Sequence, residues 1–341
     1  MTVNRFLEPY RQSIEAALVQ SLQAPNEDVE DLYAMMRYHL GWVDRDLRPV
    51  NAETGKRLRP LLCLLACEAA GGDWHHALPA SVALELVHNF SLIHDDIEDD
   101  SSTRRGRPAV WTAFGLAHGV NVGDSMLIMS RRALARLRAQ GLDSDTILEA
   151  LCILDTTCLR LCQGQYMDLA GEGRLEVGED WYMNMIGRKT AGLLAASAQL
   201  GAIIAQNQKE ARLYRRFGWN LGLAFQMVDD LLGIWGNPDV TGKPAACDIR
   251  ERKMTLPVIF ALRSKNTRAE LADLYRQKRL SERDVSLVVD LLDRSGAQGY
   301  VQHRAASFEA AALHALEATA GRPPALERLS ELTSSLTARQ K

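Results

Sequence analysis

Residues 84–100 read LELVHNFSLIHDDIEDD, an apolar segment that ends in five carboxylates within six residues. A helix would place Asp95 and Asp99 one turn apart on the same face. Two unit charges about 4 Å apart repel by roughly 4 kcal/mol at an effective dielectric near 20, so such a pair needs water or a cation beside it. Arg104 and Arg105 follow a short distance along the chain. Because carboxylates beside arginines can neutralise a metal ion and an anion together, the stretch predicts a site for both.

Helical periodicity recurs along almost the whole chain of 341 residues and predicts an all-α fold. No segment has the alternating pattern and turn spacing of a sheet. We find no long linker and no repeat with a period of about 20–50 residues, so a single domain of long helices over residues 1–341 is expected. The predicted helices cover residues 3–21, 27–46, 56–70, 77–98, 108–116, 119–139, 144–170, 179–205, 208–234, 255–264, 268–278, 282–294, 298–319 and 323–337.

Composition excludes several classes of partner. The net charge is −3, so no overall basic field would attract nucleic acid, and anion binding must come from local clusters. No apolar run reaches about 18 residues, which predicts no stable membrane insertion. The first residues do not resemble a secretory signal or transit peptide, so a cytoplasmic location is expected. The six cysteines form no Cys-x-x-Cys pair and are expected to be small buried hydrophobes.

A second acidic helix end occurs at residues 225–233, which read FQMVDDLLG. Taken alone, Asp229 and Asp230 could be a solvated helix end, and the same holds for the first acidic stretch. Two helices that each present aspartates at the end of an apolar face could instead line one cavity. Hard oxygen ligands suit Mg²⁺, which usually binds through one or two carboxylates, waters and substrate phosphates.

Basic residues cluster at four places, and any single cluster could be a solvated charged face. The order of an acidic helix end followed by a basic loop occurs twice, which is better explained by a polyanionic, metal-bound ligand such as a diphosphate. A metal phosphohydrolase built on His94-Asp95 is disfavoured because such a site would want further histidine ligands. No phosphate-binding Gly-x-x-x-x-Gly-Lys loop is present. The clusters are Lys56-Arg57-Leu58-Arg59, Arg104-Arg105-Gly106-Arg107, Arg188-Lys189, and Lys243 with Arg250, Arg252 and Lys253.

In their order along the chain, these motifs closely resemble those of the trans-isoprenyl diphosphate synthases, the polyprenyl synthetase family. The resemblance covers about residues 50–260 and is closest to the short-chain geranylgeranyl type. It rests on GKRLRP at 55–60, His88, DDIED at 95–99 with Arg104-Arg105-Gly-Arg-Pro, GQYMD at 164–168, RKT at 188–190, FQMVDD at 225–230, GKP at 242–244, Asp248 and Lys253.

The resemblance implies an all-α bundle around a central cavity, usually a homodimer. It implies a prenyltransferase that joins isopentenyl diphosphate head to tail to an allylic diphosphate (dimethylallyl, geranyl or farnesyl) and releases pyrophosphate. Four residues match the family positions that bind isopentenyl diphosphate: Lys56, Arg59, His88 and Arg105. Three more match the family positions that bind the allylic diphosphate, Arg104, Lys189 and Lys253, with Lys243 assisting.

The resemblance also implies a metal site and catalytic dipoles. Asp95, Asp99 and Asp229 match the principal ligands of Mg²⁺, with three ions per site expected, while Asp96 and Asp230 would act through metal-bound water. Thr190 and Gln226 are candidate dipoles for stabilising a carbocation. One departure is Gly233, where the second motif usually carries a third aspartate; a weakened or water-mediated third contact is expected there.

Phe90 lies five residues before Asp95 and could close the floor of the cavity about 7.5 Å deeper, or it could be ordinary core. An aromatic residue at this position resembles the pattern of the family members that make geranylgeranyl diphosphate. Geranylgeranyl diphosphate is therefore the predicted product. Farnesyl and geranylfarnesyl diphosphate are the near alternatives. Two further alternatives stay open: a non-catalytic regulatory subunit of a prenyl synthase, and a class I terpene cyclase.

Overall fold

The computed structural model describes residues 2–50, 52, 55–237 and 246–338, and this part of the chain is predominantly helical. The all-α prediction is confirmed. The long helices are α1 (Thr2–Ser21), α2 (Glu30–His39), α3 (Leu58–Ala69), α4 (Leu78–Glu98), α6 (Leu116–Ala135), α7 (Ser144–Gly171), α9 (Gly192–Ile204), α10 (Ala211–Trp235), α14 (Glu282–Ser295), α15 (Ala297–Glu317) and α16 (Pro323–Thr337). The short helices are α5 (Val110–Phe114), α8 (Glu179–Ile186), α11 (Cys247–Arg250), α12 (Leu256–Ala261) and α13 (Arg268–Tyr275).

Two predicted helices differ from the structure, and one hairpin was not predicted. The helix predicted over 27–46 is a 3₁₀ turn followed by α2, which ends just before Gly41, a residue with a φ of 87°. A left-handed glycine directly after a helix is a common stop signal. The helix predicted over 179–205 is interrupted by a π-helical turn at Gly187–Ala191. Between α4 and α5 the chain forms a small antiparallel hairpin, β1 (Thr103–Arg104) and β2 (Arg107–Pro108), which hydrophobic periodicity does not reveal.

The chain divides into two compact units, and the single domain over 1–341 stays a prediction. Unit 1 comprises Met1–Cys158, Ala196–Arg215 and Thr319–Leu329. Glycines allow its helices to pack closely. A Cβ on Gly201 of α9 would lie 2.3 Å from the carbonyl oxygen of Cys63 on α3, and a Cβ on Gly119 of α6 would lie 3.0 Å from the Ile97 side chain on α4. Helix α4, with its acidic end, is therefore held firmly between neighbouring helices.

Unit 2 comprises Leu159–Ala195, Arg216–Ala318 and Ser330–Lys341. Its core gathers apolar residues from α8, α10, α12, α14 and α15, including the fully buried Met227, Val258 and Val288. The second acidic motif leaves this core at the end of α10. Within the residues that the structure describes, no helix is both long enough and apolar enough to cross a bilayer.

Candidate active site

The aspartates at the acidic end of α4 differ in burial. Asp96 is 1% exposed, whereas Asp95 and Asp99 are partly exposed, and Glu98 and Asp100 lie in solvent. Asp99 is the C-terminal capping residue, and its N–H donates to the Asp95 carbonyl at 2.9 Å. The end of a helix carries partial negative charge, so carboxylates there repel one another further and favour a bound cation.

Asp96 makes an ion pair that the sequence did not predict. Its Oδ1 accepts hydrogen bonds from Arg104 Nε at 2.9 Å and from Arg104 Nη2, and Arg104 Nη2 lies 3.6 Å from Asp95 Oδ2. Burial raises the pKa of Asp96, while the bonds from Arg104 oppose that shift. The ion pair fixes Arg104 beside the two partly exposed carboxylates, and the expected role of Asp96 through metal-bound water stays a prediction.

The hairpin presents Arg105. Arg105 and Gly106 form its turn with φ angles of 52° and 70°, the pattern of a type I′ turn. A left-handed conformation is strained for a non-glycine residue, and such strain clusters at functional sites. The Arg105 guanidinium lies against Gly55, where a Cβ would be 3.1 Å from Nη2. The third arginine of this loop, Arg107, has a structural role, since it donates to the Val43 carbonyl at 2.6 Å.

The three cations at the start of α3 have different roles. Arg57 is buried and pairs with Glu15 at 2.6 Å and Glu85 at 2.8 Å, so it is structural. Lys56 is exposed. Arg59 carries a buried Nε that none of the described residues hydrogen-bonds. Burial lowers the pKa of Arg59 to about 10, with Glu85 opposing, so the side chain stays charged at neutral pH. A buried donor without a partner is costly, which favours an anionic ligand here.

Two neutral histidines lie among these arginines. Burial lowers the pKa of His88 well below its ordinary value, and the charges of Arg59 and Arg105 lower it further. His39, at the end of α2, is 7% exposed, and its pKa is lowered by burial first and then by Arg105 and Arg104. His39 lines a small cavity together with Arg104 and Arg105. No sequence signal distinguishes His39 from an ordinary helical histidine.

Phe90 is 3% exposed, as both readings of this residue require. Its ring meets the His94 ring edge to face, with centroids 5.9 Å apart. His94 is wedged against α6, because a Cβ on Gly123 would lie 2.2 Å from His94 Nε2. The same nitrogen lies 3.2 Å from the Val120 carbonyl oxygen. This packing fixes the His94 ring against α6, so His94 acts as a packing residue at this position.

In unit 2, the two aspartates at the end of α10 also differ in burial. Asp229 is exposed, whereas Asp230 is 4% exposed and hydrogen-bonded. Burial raises the pKa of Asp230 to about 7, and the nearby charge of Asp248 contributes to the rise. Asp230 Oδ1 accepts from Gln226 Nε2 at 3.0 Å, and its Oδ2 accepts from the Tyr182 hydroxyl at 2.7 Å. Asp230 therefore holds protein groups in place, as Asp96 does in unit 1.

The π-helical turn presents Lys189 and Thr190. Lys189 Nζ lies 2.7 Å from Asp168 Oδ2, and the Thr190 hydroxyl donates to Gln226 Oε1 at 2.7 Å. Gly164 permits the close approach of α7, because a Cβ there would be 2.3 Å from the Lys189 nitrogen. Single π-helical turns inside helices are frequent at functional sites. Asp168 is the last residue of the GQYMD motif at 164–168, and its contact with Lys189 is not evident from the sequence.

Carboxylates also lie close to Gly233 near the end of α10 and close to Lys253. A Cβ on Gly233 would lie 2.1 Å from Asp248 Oδ2. Burial alone would lower the pKa of Lys253, but Glu251, 2.9 Å from its Nζ, and then Asp248 raise it above the ordinary value. Lys243 lies outside the described residues. A common cavity for the two acidic motifs stays a prediction.

The donor chemistry of the first motif fits Mg²⁺. No group of three or more His, Cys, Asp or Glu side chains that could enclose a metal ion occurs in the described ranges. Asp95 and Asp99 instead offer two partly exposed carboxylates on one helix turn. Mg²⁺ commonly keeps several waters and binds through one or two carboxylates plus substrate phosphates, so an ion at this place needs no all-protein cage.

Comparison with known proteins identifies the family. Residues 42–292 match the polyprenyl synthetase family model. The chain is 42% identical to a geranylgeranyl diphosphate synthase of Mycobacterium tuberculosis over 89% of this chain and 86% of that protein. It is 40% identical to a (2E,6E)-farnesyl diphosphate synthase of the same organism over 80% and 76% of the two chains. The crystal structure of a polyprenyl synthetase from Streptomyces coelicolor superposes with a TM-score of 0.89 at 32% identity, covering 98% and 99%. These matches confirm the resemblance read from the motifs, and the chain belongs to the polyprenyl synthetase family of trans-prenyltransferases.

Proposed function

We propose that this chain condenses isopentenyl diphosphate with an allylic diphosphate and makes geranylgeranyl diphosphate. The observation that carries the proposal is the arrangement within unit 1. Partly exposed Asp95 and Asp99 stand beside Arg104, which Asp96 holds in place. The charged Arg59 keeps a buried donor that no described residue satisfies. Carboxylates for a metal and cations for an anion are thus both present.

The residues divide into two groups by the substrate that each would bind. Lys56, Arg59, His88 and Arg105 bind isopentenyl diphosphate, and neutral His88 donates a hydrogen bond without adding charge. Arg104, Lys189 and Lys253 bind the allylic diphosphate, with Lys243 assisting. Asp95, Asp99 and Asp229 hold Mg²⁺, with three ions per site. When bound, Mg²⁺ stabilises the negative charge that develops on the leaving diphosphate.

The chemistry begins with heterolysis of the C1–O bond of the allylic diphosphate, whose electron pair leaves with the diphosphate. Lys189, Arg104 and Lys253 stabilise the departing anion, and Thr190 and Gln226 turn oxygen dipoles toward the allylic cation. The double bond of isopentenyl diphosphate then attacks C1 and forms the new C–C bond. The departing pyrophosphate takes the proton that is lost as the new double bond forms. No carboxylate is assigned as the base.

The geranylgeranyl product rests on Phe90. This aromatic side chain is buried one and a half turns before Asp95, where bulk would stop a growing chain. The high identity to a geranylgeranyl diphosphate synthase supports the same length. The similar identity to a farnesyl diphosphate synthase makes the farnesyl product the first alternative, followed by the geranylfarnesyl product.

We also propose that the chain forms a homodimer through α6. Leu116, Val120 and Ile128 are 58%, 43% and 57% exposed and follow one another at multiples of four residues on one face of this helix. A stripe of large apolar side chains on the exposed face of a helix is typical of an interface. A second copy of the chain offers the same stripe to pair with. Light scattering should give a dimer, and Ile128→Glu should shift it to a monomer.

The deciding experiment incubates the purified chain with Mg²⁺, isopentenyl diphosphate and each allylic primer in turn, then sizes the products. Elongation without any added protein establishes the activity and excludes a non-catalytic subunit. A cyclic hydrocarbon made from an allylic diphosphate alone would favour the terpene cyclase. No elongation with any primer would overturn the proposal.

A further inference from the structure

Tyr182 on α8 makes a buried hydrogen bond to the second acidic motif. The side chain is 1% exposed, and its hydroxyl donates to Asp230 Oδ2 at 2.7 Å. Burial raises the pKa of Tyr182 well above its ordinary value, so the hydroxyl keeps its proton and remains a donor. Neither the motifs nor the chemistry proposed above gives this tyrosine a role.

Asp230 is fixed by donors on both of its oxygens. The Leu256 N–H donates to Oδ2 at 3.3 Å beside the Tyr182 hydroxyl, and Gln226 Nε2 donates to Oδ1 at 3.0 Å. Because Oδ1 accepts from the Gln226 amide nitrogen, the amide oxygen of Gln226 faces the other way, towards Thr190.

The orientation of Gln226 in turn decides the orientation of Thr190. Gln226 Oε1 accepts the Thr190 hydroxyl proton at 2.7 Å. Once that proton is committed to Gln226, the lone pairs of the Thr190 oxygen are left for another partner. With a reversed amide, the Gln226 nitrogen would donate to Thr190, and the hydroxyl proton would point elsewhere. The observed order leaves both lone pairs of the Thr190 oxygen available to a cation, whereas the reversed order would use one of them for the Gln226 N–H.

We propose that Tyr182 is a positioning residue for prenyl transfer, because it holds Asp230 and thereby orders Gln226 and Thr190 as the dipoles that stabilise the allylic cation. The proposal rests on the function proposed above and deepens it. All four residues belong to unit 2, and each link is a hydrogen bond of 2.7–3.0 Å. Preorganised dipoles matter because they need no reorientation when charge develops.

If Tyr182 were purely structural, its substitution would lower activity only through loss of folded protein. A second tyrosine of the chain provides a matched control. Tyr300 also donates to a carboxylate, Glu179 Oε2, at 2.8 Å in the same unit. Tyr182→Phe should lower kcat about tenfold and leave both KM values within about twofold. This loss of kcat is smaller than the roughly hundredfold loss that is typical of removing a direct transition-state contact. Tyr300→Phe should leave both parameters unchanged. Loss of activity in step with loss of folded protein, in both variants, would overturn the proposal.

Coupling to Thr190 provides the second measurement. If Tyr182 acts through Thr190, Thr190→Val should lower kcat more than Tyr182→Phe does, and the double variant should be no worse than Thr190→Val alone. Residues that act through one network give such non-additive effects, whereas independent residues give additive ones. Additive losses would overturn the proposal.

A binding measurement keeps the proposal falsifiable if turnover is lost. Two isosteric ligands are compared with pyrophosphate and Mg²⁺ present: an isoprenoid ammonium that mimics the cation, and its neutral carbon analogue. In the wild type the ammonium should bind at least tenfold more tightly, and in Tyr182→Phe and Asp230→Asn this ratio should fall towards one. An unchanged ratio in both variants sinks the role of Tyr182. A wild type that elongates no primer sinks the proposed function instead.

Discussion

The carboxylate of Asp248 fills the space that any side chain at residue 233 would need. A Cβ built on Gly233 lies 2.1 Å from Asp248 Oδ2 and 2.5 Å from its Cγ, both far inside contact distance. The sequence departs here from the usual third aspartate of the second motif. The structure supplies a physical reason for the glycine: α10 has no room for a side chain at this position while Asp248 remains in place. The carboxylate that occupies this place is therefore that of Asp248. The weakened or water-mediated third contact expected at residue 233 stays a prediction.

Gly233→Ala should destabilise the protein by about 1–3 kcal/mol, because overpacking a filled site costs that much. Gly299→Ala is the control, since a Cβ on this helical glycine meets nothing within 4 Å. Alanine in an open helical position should raise stability by up to about 1 kcal/mol. Urea unfolding measures both. Equal effects of the two substitutions would contradict the close contact.

The exchange Gly233→Asp with Asp248→Gly should recover much of the stability that Gly233→Asp alone loses. The double variant removes the clash while keeping one carboxylate in this region. The measurements are the urea midpoint and the Mg²⁺ concentration that gives half-maximal activity. If the double variant is no more stable than Gly233→Asp alone, the two residues do not compete for space.

Arg59→Lys should raise the KM for isopentenyl diphosphate about tenfold and leave the KM for the allylic substrate within about twofold. Lysine keeps the charge but loses the forked donors, including the buried Nε that no described residue satisfies. Lys56→Arg keeps its charge at an exposed position and should have a smaller effect. Steady-state kinetics with each substrate varied in turn separates the two constants. An equal rise in both would contradict the assignment of Arg59 to one substrate.

Phe90→Ala should lengthen the product by at least one five-carbon unit, because removing the ring deepens the space before Asp95. Chromatography of the dephosphorylated products measures the length. Phe217, buried in unit 2, serves as the control: Phe217→Leu should leave product length unchanged. Where the alanine variant folds poorly, Phe90→Leu provides a milder test of the same floor. An unchanged length in both Phe90 variants means that Phe90 is ordinary core.

Local patterns predicted the fold class and most of the helices, since apolar spacing, glycines and prolines act over a few residues. They also placed Asp95 and Asp99 on one turn, because that follows from helix geometry alone. They could not show that Arg57 pairs with the distant Glu15 and Glu85 while Arg59 keeps an unsatisfied donor. Neighbouring arginines look alike in sequence, and only tertiary contacts between remote residues distinguish their roles.

The same limit applies to the buried aspartates. The resemblance implies that Asp96 and Asp230 act through metal-bound water, and that role stays a prediction. The structure adds that each one has protein donors, Arg104 for Asp96 and Tyr182 with Gln226 for Asp230. Which aspartate of a pair turns inward depends on the rotation of the helix against its neighbours, and this sequence shows no difference between them.

The two neutral histidines of unit 1 should make the protein sensitive to acid. The folded pKa values of His39 and His88 lie well below the ordinary value of 6.5. Below about pH 6.5 the unfolded chain therefore takes up protons that the folded chain cannot. Each histidine then lowers the free energy of unfolding by up to about 1.4 kcal/mol per pH unit as the pH falls. Asp230 has the opposite effect, because its pKa is raised to about 7 in the folded chain and its protonation therefore increases the free energy of unfolding as the pH falls.

His39→Gln isolates one of these contributions. Arg105, Arg104 and Arg57 face His39, and Asn89 lies near it, so replacing the imidazole removes one group that resists protonation in the folded state. The free energy of unfolding should fall less steeply between pH 6.5 and pH 5 than in the wild type, by up to about 1.4 kcal/mol per pH unit. His76→Gln, at an exposed position, should leave the slope unchanged. Urea unfolding at several pH values measures the slopes, and identical slopes for His39→Gln and the wild type would show that His39 is protonated as readily in the folded chain as in the unfolded one.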